Sequence, residues 1–353
     1  MPADRRPVRL HRTPPQRADT GIVTVDLDEE GRPLDPETGG RLPGRHLRAY
    51  FEDALRPPVT ATDLLVYVHG WQTPPASALR AALRMQRMAQ ERVRTDGSLY
   101  PGLARDGFRP WTVLVRWPSS SLRYGRIRDR AHTMGDHHAG GHAAHVIGRL
   151  LGYLDTVRPD PADSDALATD AGQYLHLVGH SFGCRLLCEA TQWAAQVTLD
   201  TTLGWTATGE RPDRPFSVDS MLLLQMAASR DAFVDLFPSL VVAGPGPQAP
   251  LGGPVVTTHS RYDRATGVWH LLREGRGAIG HSGIGRAPAP VSRIPMMPVG
   301  TAYPRSVLDH RFVGVDASRF YVRGRRLNPA GAHSDHLRPE TAHLLASLAE
   351  HSR

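Results

Sequence analysis

The sequence predicts an α/β fold, a mostly parallel, open, twisted sheet flanked by helices. Three observations predict it. Short apolar runs recur at Leu64–Val68, Tyr174–Val178 and Ser220–Met226, as expected of strands buried on both faces of a parallel sheet. Longer stretches of helical character, Ala76–Val93 and Tyr124–Leu154, stand between them. Finally, Gly179-His180-Ser181-Phe182-Gly183 joins the second run directly to a helical pattern, Arg185–Ala195, with Leu186, Leu187, Ala190 and Ala194 near helical spacing.

Composition bounds the answer. A chain of 353 residues with 40% hydrophobic content can bury one substantial core, and its 34 glycines and 30 prolines imply many loops. We expect a basic, proline-rich flexible arm over 1–20 and a single domain over 21–353, with loop-rich insertions at about 198–218 and 270–315 that could form a lid or rim. The formal net charge is +7, and all 42 basic residues are arginine. They are scattered rather than gathered into a stripe, which argues against a nucleic-acid partner. Cys184 and Cys188 lie four apart on one helix, where side-chain directions disfavour a disulfide, so both are read as reduced thiols. Met1–Arg17 lacks the apolar stretch of a secretory signal, and no apolar run approaches the ~20 residues of a membrane span. The expected location is the cytoplasm; the oligomeric state is left open.

Taken in order, Gly21–Leu27 alternates well enough for an edge strand, and Asp28–Gly44 is turn-rich. Leu64–Val68 is a buried strand ending in His69-Gly70-Trp71. Trp111–Trp117 is another, followed by Pro118-Ser119. The next helical region holds His132, His137, His138, His142 and His145. Two of these are spaced like metal ligands on one helical face. No cysteine and no carboxylate except Asp136 accompanies them, and Gly135, Gly140 and Gly141 weaken the helix, so the cluster reads as a solvated or rim-facing surface, with no metal and no cofactor. Pro159–Asp170 is a surface loop and Asp200–Phe216 a polar insertion. Ser220–Met226 leads to Asp231, and Val255–His259, β-branched, leads to Tyr262-Asp263-Arg264. Leu271–Pro304 carries so much Gly, Pro and Arg that little regular structure is expected there. It includes Gly280-His281-Ser282-Gly283, which mimics the first glycine-serine motif without a preceding strand. Arg319–Val322 is the expected last strand, Gly331–His336 a loop, and Pro339–Glu350 the terminal helix.

The chemistry follows from the strand–turn–helix stretch. A serine on so sharp a turn projects its hydroxyl above the sheet edge. Gly179 and Gly183 avoid the collisions that side chains would suffer there. The helix that follows aims N–H groups and a partial positive charge at the same spot. Such a serine needs a base and an acid, in the chain order serine, acid, histidine. Asp263, beyond a late strand, is the first choice of acid, with Asp231 as its rival. His333, in the loop before the last helix, is the first choice of base, with His336 as the alternative. His180 is turned away from Ser181 by the turn itself and is expected to pack or line the cleft.

Together, His69-Gly70-Trp71, Trp117-Pro118-Ser119, Tyr124 with Asp129, Gly179–Gly183, the strand leading to Asp231 and Ser260–Asp263 resemble the α/β-hydrolase superfamily, most closely its lipase/esterase-like bacterial serine hydrolases. The likeness runs over roughly residues 60 to 350 and is weakest at 196–220 and 270–315. It implies the α/β-hydrolase fold and a Ser-acid-His hydrolase without a metal, acting on a small-molecule carboxylic ester. It also implies an oxyanion hole formed by the backbone N–H groups of Trp71 and Phe182, with His69 and Gly70 opening the loop that carries the first. Two other outcomes share these residues: a non-catalytic binding or scaffold module on the same fold, and an acyltransferase using the same serine.

Overall fold

The structure, a computed structural model, describes residues 21–120, 129–131, 134, 141–158, 172–196, 218–240, 251–322 and 329–353. The arm at 1–20, Tyr124, His132, His137, His138, the whole Pro159–Asp170 loop and nearly all of the 198–218 insertion lie outside the described residues.

Eight strands form one all-parallel sheet: β1 (Ile22–Asp26), β2 (Asp63–Val68), β3 (Pro110–Arg116), β4 (Tyr174–His180), β5 (Ser220–Leu224), β6 (Val255–His259), β7 (Val291–Pro295) and β8 (Phe312–Asp316). Their order is β1-β3-β2-β4-β5-β6-β8-β7. All six residues of β2 are buried, as a strand covered on both faces requires. Val68 at its end lies opposite Val115 on one side and Gly179 on the other.

The helices cover both faces. One core layer gathers α1 (Leu47–Ala54), α4 (Ala143–Val157) and α5 (Phe182–Gln196) over Leu64, Val66, Leu175, Leu177, Met221 and Leu223. The other gathers α2 (Pro75–Thr95), α3 (Pro101–Asp106) and α10 (Pro339–His351) over Leu65, Tyr67, Val178, Leu222 and Leu224. The strand residues divide between the layers with the two-residue period of a pleated strand. Short helical segments lie in the connections between β5 and β8: α6 (Ala232–Asp235), α7 (His270–Glu274), α8 (Ile279–Ser282) and α9 (Arg305–Leu308). Among the described residues, no helix is long and apolar enough to cross a membrane.

The chain passes from β2 outward to β3, then returns to place β4 on the other side of β2. Connections therefore leave β2 and β4 in opposite directions, opening a crevice at their carboxyl ends, where open α/β sheets place ligand sites. The amino end of the same strands is closed by a buried charge network. Asp63 accepts hydrogen bonds from Thr62 Oγ1 at 2.7 Å and Arg353 Nη2 at 2.9 Å, and meets His176 Nε2 at 3.2 Å. Burial pushes the Asp63 pKa up, but the His176 bond and the Arg353 cation outweigh it and hold the carboxyl below its ordinary range.

Two expectations are corrected. Arg319–Val322 is not a strand: Phe320 N and Tyr321 N both donate to Ala317 O, a turn that buries the Tyr321 ring. The last strand is β8, seven residues earlier in its start, and it lies inside the sheet. Leu271–Pro304, whose Gly, Pro and Arg content predicts little regular structure, supplies β7 and the helical turn α8. β7 hides from periodicity because it is an edge strand in which only Ile294 is buried.

Close approach dictates glycine at position 183. A Cβ on Gly183 would stand 2.2 Å from Val68 O and 2.6 Å from His69 O, both on the neighbouring strand end. We expect Gly183→Ala to lower the urea midpoint by an amount equivalent to about 3 kcal/mol. Gly44→Ala, where nothing lies within 4 Å of the added carbon, should stay within about 0.5 kcal/mol of the parent. Equal midpoints for the two variants would contradict the packing described.

Candidate active site

Ser181 is the single residue between β4 and α5. Its φ of 56° lies in the left-handed region that non-glycine residues rarely enter. The kink is held from both sides. Ser181 N donates to Leu224 O at 3.0 Å, while Ser181 O accepts from Cys184 N at 3.2 Å and Ala227 N at 3.3 Å. Gly179 must be glycine because a Cβ there would lie 2.8 Å from Cys184 Cα.

Asp263 and His333 arrive on two loops that are paired to each other. Asp263 and Gly331 form an antiparallel bridge, and Ala332 N donates to Tyr262 O at 3.0 Å. Gly331 permits this with φ 63° and no Cβ, which would meet Tyr262 O at 2.5 Å. The pairing brings His333 Nδ1 to 2.8 Å from Asp263 Oδ2 and His333 Nε2 to 2.8 Å from Ser181 Oγ. A carboxylate only accepts, so Nδ1 carries the proton, and Nε2 is left to accept from the serine hydroxyl. Ser181, Asp263 and His333 are all buried, with Asp263 wholly so. Asp263 Oδ1 accepts from Thr266 N at 3.0 Å, and Oδ2 accepts from Gln225 Nε2 at 3.0 Å as well as from the imidazole.

The alternative acid and base stand elsewhere. Asp231 precedes α6, accepts from Arg286 N at 2.8 Å and pairs with the Arg286 guanidinium, with none of its hydrogen bonds reaching a histidine. His336 lies before α10 rather than on it. Its ring stacks on His180 with centroids 3.7 Å apart, and neither of its nitrogens has a hydrogen-bond partner. His180 donates Nε2–H to His333 O at 2.9 Å, so it meets His333 through the backbone.

The end of β2 forms the other wall. A Cβ on Gly70 would lie 2.8 Å from Ser181 Cβ and 2.6 Å from His180 Nδ1, so the His69-Gly70 backbone runs directly against the serine. His69 Nε2 accepts from Trp117 N at 3.2 Å, which leaves Nδ1–H to donate to Gly70 O at 3.0 Å. Trp117 Nε1 returns a bond to His69 O at 2.8 Å. Trp71 follows, half-buried, and Gln72 donates its N–H to Ser119 O at 3.0 Å, tying this turn to the end of β3. Phe182, buried, opens α5 immediately after the serine. Among the described residues, no group of three His, Cys, Asp or Glu is disposed to hold a metal ion. His142 immediately precedes α4, and His145 packs on Trp193.

Motif reading did not find Gln225. Its one signal was an amide closing the apolar run Ser220–Leu224, beside the serine's strand. No protein-family model, curated protein or solved structure gives a significant match to the chain.

Three imidazoles around the site are held neutral. Burial pulls His69 down to about 4 and His336 down to about 3, and pushes His180 well below its ordinary value. Each titrates near ~6.5 once the chain unfolds. As pH falls below that value the unfolded chain takes up protons first. The stability these groups allow is therefore complete above about pH 6.5 and is lost progressively towards pH 3–4. We expect urea unfolding to show each histidine costing about 1–2 kcal/mol between pH 6.5 and 5. His336→Phe should flatten that dependence. A midpoint independent of pH over this interval would refute the neutral, buried state.

Proposed function

We propose that the protein is a serine hydrolase of the α/β-hydrolase class, acting on carboxylic esters through Ser181, His333 and Asp263. One observation carries the reading: the unbroken carboxylate–imidazole–hydroxyl chain, with 2.8 Å at each step. The resemblance of the His69-Gly70-Trp71 and Gly179–Gly183 stretches to lipase/esterase-like hydrolases supports the ester as substrate. Cys184 and Cys188, both free and buried, suit a reducing compartment, and we place the activity in the cytoplasm.

In this mechanism Ser181 Oγ attacks the ester carbonyl as its proton passes to His333 Nε2. Asp263 stabilises the imidazolium and keeps the ring oriented. The tetrahedral oxyanion is received by the N–H groups of Phe182 and Trp71, each donor being worth about 3–4 kcal/mol in comparable sites. His333 then protonates the departing alcohol. Water, deprotonated by the same imidazole, releases the acid from the acyl-enzyme.

Ser181→Ala should abolish hydrolysis of short p-nitrophenyl esters and labelling by a fluorophosphonate probe. Asp263→Asn should lower kcat by roughly 10⁴-fold, whereas Asp231→Asn, which lies outside the hydrogen-bonded chain, should leave the rate within about twofold, as expected of a distant surface substitution. Undiminished labelling of the Ser181 variant would sink the assignment.

A further inference from the structure

We propose that Gln225 is the positioning residue of this site, a single amide that sets the orientation of acid and base together. The inference rests on the hydrolase reading but stands on a separate set of contacts.

Gln225 is the first residue beyond β5, next to Leu224, whose carbonyl accepts the Ser181 N–H. Its side chain is buried, and its two amide donors are both used. Nε2 reaches Asp263 Oδ2 at 3.0 Å and Ala332 O, the carbonyl joined to His333, at 3.1 Å. Both neighbours can only accept, so chemistry alone fixes which end of the amide faces them. The oxygen bonded here is also the one that receives His333 Nδ1–H. One group thus holds the plane of the carboxylate and the peptide that carries the imidazole.

Two costs are tolerated to keep it there. The backbone takes φ 48°, a conformation that suits glycine or asparagine better than glutamine. The other amide atom, Oε1, is buried without a hydrogen-bond partner. A residue retained only for packing needs neither. The surroundings are shaped to fit the kink. Gln225 N donates to Thr258 O at 3.2 Å. A Cβ on Gly280 would stand 2.6 Å from the Gln225 carbonyl carbon. That glycine belongs to the second Gly-His-Ser run, which serves here as a buttress: His281 Nδ1 lies 3.1 Å from Asp263 O, to which it can donate.

The test compares the full-length protein with Gln225→Met, which keeps length and burial without donors, and Gln225→Glu, which sets a second carboxylate against Asp263. The readouts are ester kinetics from pH 5 to 9, the thermal midpoint, and the downfield proton resonance of His333 Nδ1–H. We expect Gln225→Met to lower kcat about 10–100-fold, with KM little changed, the fold retained and the resonance moved. Gln225→Glu should lose more at high pH and recover on acidification, as its carboxyl regains a proton to donate. If Gln225→Met does not fold, this pH profile decides in its place, a flat profile counting against the proposal. An unchanged kcat with an unmoved resonance would overturn it. A wild-type protein without Ser181-dependent turnover defeats the hydrolase reading alone; the resonance in wild type and Gln225→Met still decides the role of Gln225.

Discussion

The arrangement depends on the kinked peptide at Ser181. A parallel strand cannot pass into a helix within one residue unless that residue turns sharply, and here φ of 56° makes the turn. The strain is held because the kink is bonded to the end of β5 and wedged against the end of β2. Both neighbours exist because the strand order changes direction at β2 and β4. The serine hydroxyl thus stands at the carboxyl ends of β2 and β4, where the connections leave in opposite directions.

The electrostatics of the site follow from burial. Four imidazoles, those of His69, His180, His333 and His336, crowd one buried region beside a carboxylate that is fully enclosed. Three are kept neutral by the cost of burying charge. His69 and His180 spend their protons on backbone carbonyls that shape the cleft. Of these four, only His333 has one nitrogen on the carboxylate and the other on a hydroxyl, so a proton moved onto it meets a compensating charge. Position, rather than residue type, separates it from its three neighbours.

Much of this was legible in the chain. The central strands announce themselves because residues buried on both faces must be apolar throughout, as in Asp63–Val68 and Ser220–Leu224 after their polar first residues. The elbow was legible because its glycines are steric necessities. β7 was not, since an edge strand with one buried residue leaves no periodic trace. Nor was the role of β8 beside β6, because pairing in a sheet is set by three-dimensional contact and not by order along the chain.

By itself the sequence determined the α/β class, the serine-bearing turn and a short choice of carboxylates and imidazoles to stand beside it, because local sterics and hydrophobic burial write themselves into neighbouring residues. Only the tertiary structure decided between Asp263 and Asp231 as partners of a histidine, and between His333 and His336 as neighbours of the serine. Those pairings join residues far apart in the chain, and a hydrogen bond of 2.8 Å exists only once two loops have been paired and a glutamine amide, itself silent in the sequence, has drawn them into register.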